Sequence, residues 1–216
     1  MAARIAAMTP LRGLAIVHCS GALGLHALDE LPDHARGSFH PLQSFPVPRD
    51  PSAFRGITVA VDATTPTLER RLRALARGLG AKPRHVGDGE RVAYHAAAVF
   101  ASNFVDVVVA EAVGLLTGIG WSGKESLDAL IPLVEGAVSN IRLRGPVRAL
   151  TGPIRRGDAE TVSRHLAVME NPDLYRMLAL VALEIAIEAG LDPAAAERTR
   201  RALTRNVAAT QRRSGR

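Results

Sequence analysis

Residues 90–120 read ERVAYHAAAVFASNFVDVVVAEAVGLLTGIG, a single apolar run with the spacing of a helix. A stretch of that length and periodicity fixes the second part of the chain as helical. His95, Asn103, Asp106 and Glu111 punctuate it, so it is expected to be too polar for a membrane span. The segments GKESLDALIPLVEGAVSNIRLRG, DAETVSRHLAVME, PDLYRMLALVALEIAIEAG and DPAAAERTRRALTRNVAATQ carry the helical pattern onward.

Upstream the pattern differs. Residues 2–9 read as the tail of a helix, GLAIVHCSG as a buried strand ending at Gly21, and ALGLHALDEL as a short helix. GSFHPLQSFPVPRDPSAF holds four prolines and predicts an irregular, extended loop. GITVAVDAT predicts a second strand, and Thr65-Pro66 then supplies an N-cap and a first-turn proline for the helix TLERRLRALARGLG. KPRHVG predicts a third strand. Strand and helix thus alternate over residues 13–87, the signature of a parallel sheet. The expected organisation is an α/β domain over residues 1–89 and an all-helical domain over 90–216, divided near Gly87–Gly89.

Only 4% of the 216 residues are aromatic, so the core must be built from Ala, Leu and Val. The single cysteine, Cys19, excludes an internal disulfide and suits a reducing cytoplasm. Pro10 and Arg12 interrupt the only N-terminal apolar stretch, no targeting signal is evident, and the expected location is cytoplasmic. Seven arginines and one glutamate lie between Glu197 and Arg216, which accounts for the whole net charge of +6. No aromatic residue interleaves those arginines, so they read as a solvated last helix and tail, and nucleic acid is not an expected partner.

The hexapeptide GIGWSG, residues 118–123, satisfies the G-x-G-x-x-G spacing of a dinucleotide loop. Such a loop needs a strand leading in and a helix leading out, so that backbone N–H groups converge on phosphate. Here a long helix leads in. Gly118 and Gly120 read as helix terminators, and Ser122 with Glu125 reads as a capping box for the next helix. The stretch predicts a turn between helices.

Four other segments could carry chemistry. HCSGALG ends a strand, which places Ser20 and Gly21 at the edge where open α/β sheets bind ligands, or simply in a tight turn. FHPLQSFP could aim His40, Pro41 and Gln43 into a cleft, or form a rigid surface loop. On the long apolar run, His95, Val99, Ser102 and Asp106 share one face with Asn103 beside it, which is either a site or a buried polar seam. In TGPIRRGD, Asp158 is an N-cap and Arg155 or Arg156 could hold an anion, with Gly152-Pro153 and Gly157 shaping the turn, or the segment is a structural loop. No metal-ligand spacing occurs, and no metal is expected.

In this order, HCSGALG, FHPLQSFP, YHAAAVFASNF and LTGPIRRGD resemble a bacterial family that joins a Rossmann-like domain to a helical domain of unknown function 2520. That family is similar to pyrroline-5-carboxylate reductase, deazaflavin-dependent NADP reductases and prephenate dehydrogenase. The resemblance implies a partial Rossmann-like parallel sheet followed by a helical domain like that of 6-phosphogluconate dehydrogenase. It also implies NADP or NAD as cofactor, a small-molecule substrate, and a homodimer formed through the helical domains. Ser20, Gly21, His40, Pro41 and Gln43 would then line the cofactor, and His95, Ser102 and Asn103 would face the substrate. Arg156, Thr151 and Gly152 would bind the substrate's anionic end. Related hydroxyacid dehydrogenases place a lysine four residues before the helix asparagine; here that position is Val99, and His95 lies one turn further back.

Such proteins are expected to begin with a strand, G-x-G-x-x-G and a helix, and nothing before GLAIVHCSG supplies them. The chain therefore reads as lacking the first half of its sheet. Two functions follow: an NAD(P)-dependent oxidoreductase of a small imino, keto or hydroxy acid, or a non-catalytic helical dimerisation module or gene fragment that binds no cofactor.

Overall fold

The computed structural model describes residues 13–205, so the expected helix tail at residues 2–9 and the arginines beyond Arg205 lie outside the described residues. The chain divides into two compact units, one running to Val108 and the other beginning at Val109. The change from strands to helices falls earlier, after the strand that ends at His85.

The first unit is built on four strands, β1 (Ala15–His18), β2 (Ala35–Pro41), β3 (Thr58–Ala63) and β4 (Lys82–His85), in spatial order β1-β2-β3-β4. β1 and β2 are parallel, as are β3 and β4, but β2 and β3 are antiparallel. The sheet is therefore mixed. The departure from an all-parallel sheet comes from β2, which occupies residues expected to be irregular loop. Of the four prolines there, Pro41 ends the strand and Pro46, Pro48 and Pro51 follow it, so none interrupts the ladder.

Register sorts the side chains onto two faces. Phe39 and Val61 pair on one face, joined by Val59, and meet Leu68, Leu72 and Ala76 of helix α1 (Pro66–Gly78). Thr65 caps α1 by accepting from the Leu68 N–H at 3.2 Å, and Pro66 opens its first turn. The other face carries the row His18, Ser38, Asp62 and, two residues along β2, His40. Leu28 and Leu31 cover part of that face by packing on Ile16.

The long apolar run forms two helices, α2 (Arg91–Ala101) and α3 (Asn103–Gly118). Ser102 separates them at φ −127°, ψ −77°, and its carbonyl accepts from Val105 at 2.9 Å and Asp106 at 3.2 Å to open α3. The face expected to run unbroken from His95 to Asp106 is therefore interrupted. By length and composition alone, Asp88–Gly118 is apolar enough to cross a membrane, contrary to the expectation from its polar residues. Its two helices have 11 and 16 residues, each short of the roughly 20 that a straight span requires.

Helix α4 (Gly123–Ala149) follows the turn at GIGWSG. Gly120 there has φ +99°, and Ser122 and Glu125 form the expected capping box. Gly145, at φ +74° and ψ +163°, breaks α4 near its end. Then come α5 (Gly152–Arg156), α6 (Ala159–Ala167), α7 (Asp173–Glu188) and α8 (Pro193–Thr204). Ile154, Val162, Leu166, Ala179, Leu183, Ala196 and Leu203 form the core of this second unit. Its small residues allow close helix contact, as the low aromatic content demands.

Candidate functional site

β1 and β2 run in the same direction, so their carboxyl ends share one edge of the sheet. His18 ends β1, and Ser20 and Gly21 turn away from it; His40 stands at the same end of β2. α2 brings Tyr94 and His95 over this edge. A Cβ built on Gly21 would lie 2.7 Å from His40 Nε2 and 2.8 Å from His95 Cδ2. Gly21, His40 and His95, named from three separate segments of sequence, therefore meet at one point. The Tyr94 hydroxyl is 2.8 Å from His40 Nδ1, and the two rings meet edge to face. His40 is thus held by the sheet and by α2 at once, rather than carried on the loop expected from its prolines.

His18 is oriented by two backbone groups. The Ser20 N–H donates to Nδ1 at 3.2 Å, which leaves Nε2 as the protonated nitrogen, facing the Gly24 carbonyl at 3.1 Å. Ser20 Oγ accepts from Leu23 N–H at 3.1 Å and so shapes the turn. Asp88 reaches back from the start of α2 to accept from Leu25 N–H at 2.8 Å, with His26 Nδ1 at 3.2 Å. This clip ties the segment after β1 to the segment before α2.

Burial lowers the pKa of His18, partly offset by its bond to Gly24. Burial also lowers that of His40, helped by the charges of Arg91, His95 and His18. Both rings are therefore neutral near pH 7. Burial raises the pKa of Tyr94, which stays a phenol.

Arg91, which the sequence reading passed over, is the first residue of α2 and is only 1% exposed. None of its three guanidinium nitrogens has a hydrogen-bond partner among the described residues. Its charge acts on His18, His40 and Tyr94. Two signals could have found it. A cation in a helix's first turn opposes the macrodipole, and Arg91 lies at i−4 from His95, on the same helix face.

The other expected residues fall elsewhere. Pro41 closes β2, and Gln43 is exposed beyond it, with Oε1 accepting from Ser44 N–H at 2.9 Å. Ser102 is half-buried at the break between α2 and α3, and Asn103 is exposed. Thr151 and Arg156 are exposed in the second unit, where TGPIRRGD forms the short helix α5 rather than a loop. Arg155 donates to the Ala189 carbonyl at 2.9 Å, which gives it a structural task, and Asp158 caps α6 through the Thr161 N–H at 3.0 Å. Arg200 and Arg201 of α8 pair with Glu184 and Glu197, each at 2.7 Å. No group of three metal-ligating side chains occurs among the described residues.

The family model for domain of unknown function DUF2520 matches residues 57–185. The chain belongs to the DUF2520 family. No match to a curated protein sequence was found. Among solved structures, this DUF2520 chain is similar to a Bacteroides fragilis protein assigned provisionally as an NADP oxidoreductase. The two are 26% identical with a TM-score of 0.67, over 79% of this chain and 64% of that one. It is similar to protein TM1727 of Thermotoga maritima, at 26% identity and a TM-score of 0.68, over 81% and 70%. NADP-bound pyrroline carboxylate reductase of Plasmodium falciparum shares the fold, with 11% identity and a TM-score of 0.52 over 90% and 72%. The DUF2520 chain thus spans 64% of the length of the Bacteroides protein. These likenesses give the fold: a Rossmann-like sheet followed by a helical part.

A dinucleotide also needs donors for its pyrophosphate. Among the described residues, no strand leads into a glycine-rich turn and helix of that kind, because GIGWSG joins α3 to α4. The pyrophosphate contact is therefore not assigned to residues 13–205.

Proposed function

We propose that this DUF2520 protein is an NAD(P)-dependent oxidoreductase acting on a small imino, keto or hydroxy acid, with NADP favoured. The observation that carries the reading is the meeting of Gly21, His40 and His95 at the carboxyl edge of β1 and β2. That edge is where open α/β sheets bind their ligands. The Bacteroides fragilis relative supports the choice of NADP.

A bound reduced nicotinamide would supply the hydride. His95 exchanges the proton that the reduced carbonyl or imine requires. His40, fixed by Tyr94, packs against the turn at Gly21 and orients the reacting groups. Ser102 and Asn103 contribute hydrogen bonds to the substrate. A homodimer completes the assembly in the cytoplasm. Support for the dimer comes from α3 and α4, which bury among the described residues of one chain only Ser126. Leu127, Ile131, Val138 and Ile141 lie exposed on one face of α4, an apolar stripe that a second copy would cover.

Equilibrium binding of NADPH and NADH to the full chain tests the reading. Saturable binding with NADPH tighter than NADH is expected. Absence of binding by either at about millimolar concentration, a binding free energy weaker than roughly −4 kcal/mol, would refute it. The exposed stripe on α4 also favours the second reading, a non-catalytic dimerisation module, whose outcome is a dimer that binds neither nucleotide.

A further inference from the structure

We propose that Arg91 anchors the carboxylate of a small organic acid beside His18, His40 and Tyr94. The proposal deepens the oxidoreductase reading and rests on it for the identity of the acid as substrate.

A guanidinium is charged at every accessible pH, and burying it without an acceptor is costly. Arg91 is 1% exposed, and all three of its nitrogens lack a partner among the described residues. No carboxylate among those residues lies within ion-pair distance of it. Asp88, three positions earlier, is turned instead to Leu25 and His26. The charge therefore needs a counterion from outside this part of the chain.

The surroundings are built for an anion. Arg91 begins α2, an 11-residue helix whose N–H dipoles add positive potential at that end. The groups on which its charge acts, His18, His40 and Tyr94, carry no negative charge at neutral pH. Tyr94 engages His40 Nδ1, and His40 Nε2 has no partner among the described residues. Ser38, fully buried in the row between His18 and Asp62, also has an unpartnered hydroxyl.

Charge selects the class of anion. With His18 and His40 neutral, the guanidinium supplies a single positive charge, which a monocarboxylate balances and a phosphate dianion exceeds. The planar fork of Arg91 also matches the two oxygens of a carboxylate. Removing an ion-paired hydrogen bond of this kind weakens binding by roughly tenfold or more.

Pyruvate, pyruvamide and inorganic phosphate are titrated into the full-length protein without nucleotide, while the histidine ring resonances are followed by NMR. Pyruvate should shift the His40 resonances, and pyruvamide and phosphate should bind far more weakly. Arg91→Lys should weaken pyruvate binding and Arg91→Met should abolish it. The melting temperature of Arg91→Met should stay the same or rise, because an unpaired buried charge has been removed. Four results would each overturn the proposal: no pyruvate binding, preference for phosphate, unchanged affinity in both variants, or marked destabilisation of Arg91→Met. NADPH binding is measured separately. Carboxylate binding without NADPH binding defeats the oxidoreductase reading and leaves Arg91 as the anion anchor, and the converse result does the opposite.

Discussion

Replacing Gly21 by alanine tests the convergence at the sheet edge with one methyl group. The backbone of Gly21 is not left-handed, so alanine adds no conformational strain. The added carbon would lie 2.7 and 2.8 Å from His40 Nε2 and Cε1 and 2.8 Å from His95 Cδ2, where ordinary contact begins near 3.4 Å. Something must move by more than half an ångström. If His40 swings away, it leaves Tyr94, and that bond contributes about 0.5–1.5 kcal/mol. If His40 stays, the overpacked turn costs about 1–3 kcal/mol. The Gly21→Ala variant should therefore lose about 1–3 kcal/mol in urea denaturation. At roughly 4–8 °C per kcal/mol for a unit of this size, melting falls by about 4–24 °C. Adding His40→Ala removes the main obstacle, so the double variant should be more stable than the sum of the singles by about 1 kcal/mol. A Gly21→Ala protein that melts with the wild type, or strictly additive effects, would show that these side chains do not converge.

Tyr94→Phe removes the hydroxyl that fixes His40 and should cost about 0.5–1.5 kcal/mol in urea denaturation; a larger effect of His40→Ala in the wild type than in this variant would confirm the coupling. Folded-state pKa values of His18 and His40 lie below the usual 6.5, so their stabilising contribution is present above about pH 6.5 and is lost as pH falls through the lowered values. The urea midpoint should therefore drop between about pH 7.5 and pH 5.5. That drop should be smaller in a His18→Asn, His40→Asn double variant, and an identical profile would remove these rings as its cause. Ile131→Asp puts a carboxylate in the apolar stripe of α4, and sedimentation should then show the mass of one chain where the wild type shows two. Two equal masses would locate the interface elsewhere.

What could be read in the sequence was what local chemistry decides. Thr65 and Pro66 announce α1, Ser122 and Glu125 announce α4, and Asp158 announces α6, because caps act within three residues. β1 and β3 follow from short apolar runs between turn residues, and β4 from its place after α1 in the strand–helix alternation. β2 could not be read this way. ARGSFHP holds few strand-favouring residues, and it becomes a strand because β1 and β3 flank it and α1 closes over Gly37. The break at Ser102 also had no local signal, since no proline or glycine marks it. The three-residue meeting at Gly21 was half legible: each segment carried its own chemistry, but only the paired strands and α2 bring them together. Arg91 was hidden because an arginine at the head of a helix ordinarily points into water.

Placing His40 on a paired strand has an evolutionary corollary. Inserting or deleting one residue within Ala35–Pro41 would turn the strand over, exchanging His40 with a neighbour such as Phe39 and burying the imidazole under α1. Length changes in the stretch from Ser44 to Arg49, which lies exposed outside any strand or helix, leave that orientation untouched. Homologues should therefore vary freely in the proline segment while holding strand length constant, and any lineage that breaks this rule should have lost the imidazole's task as well.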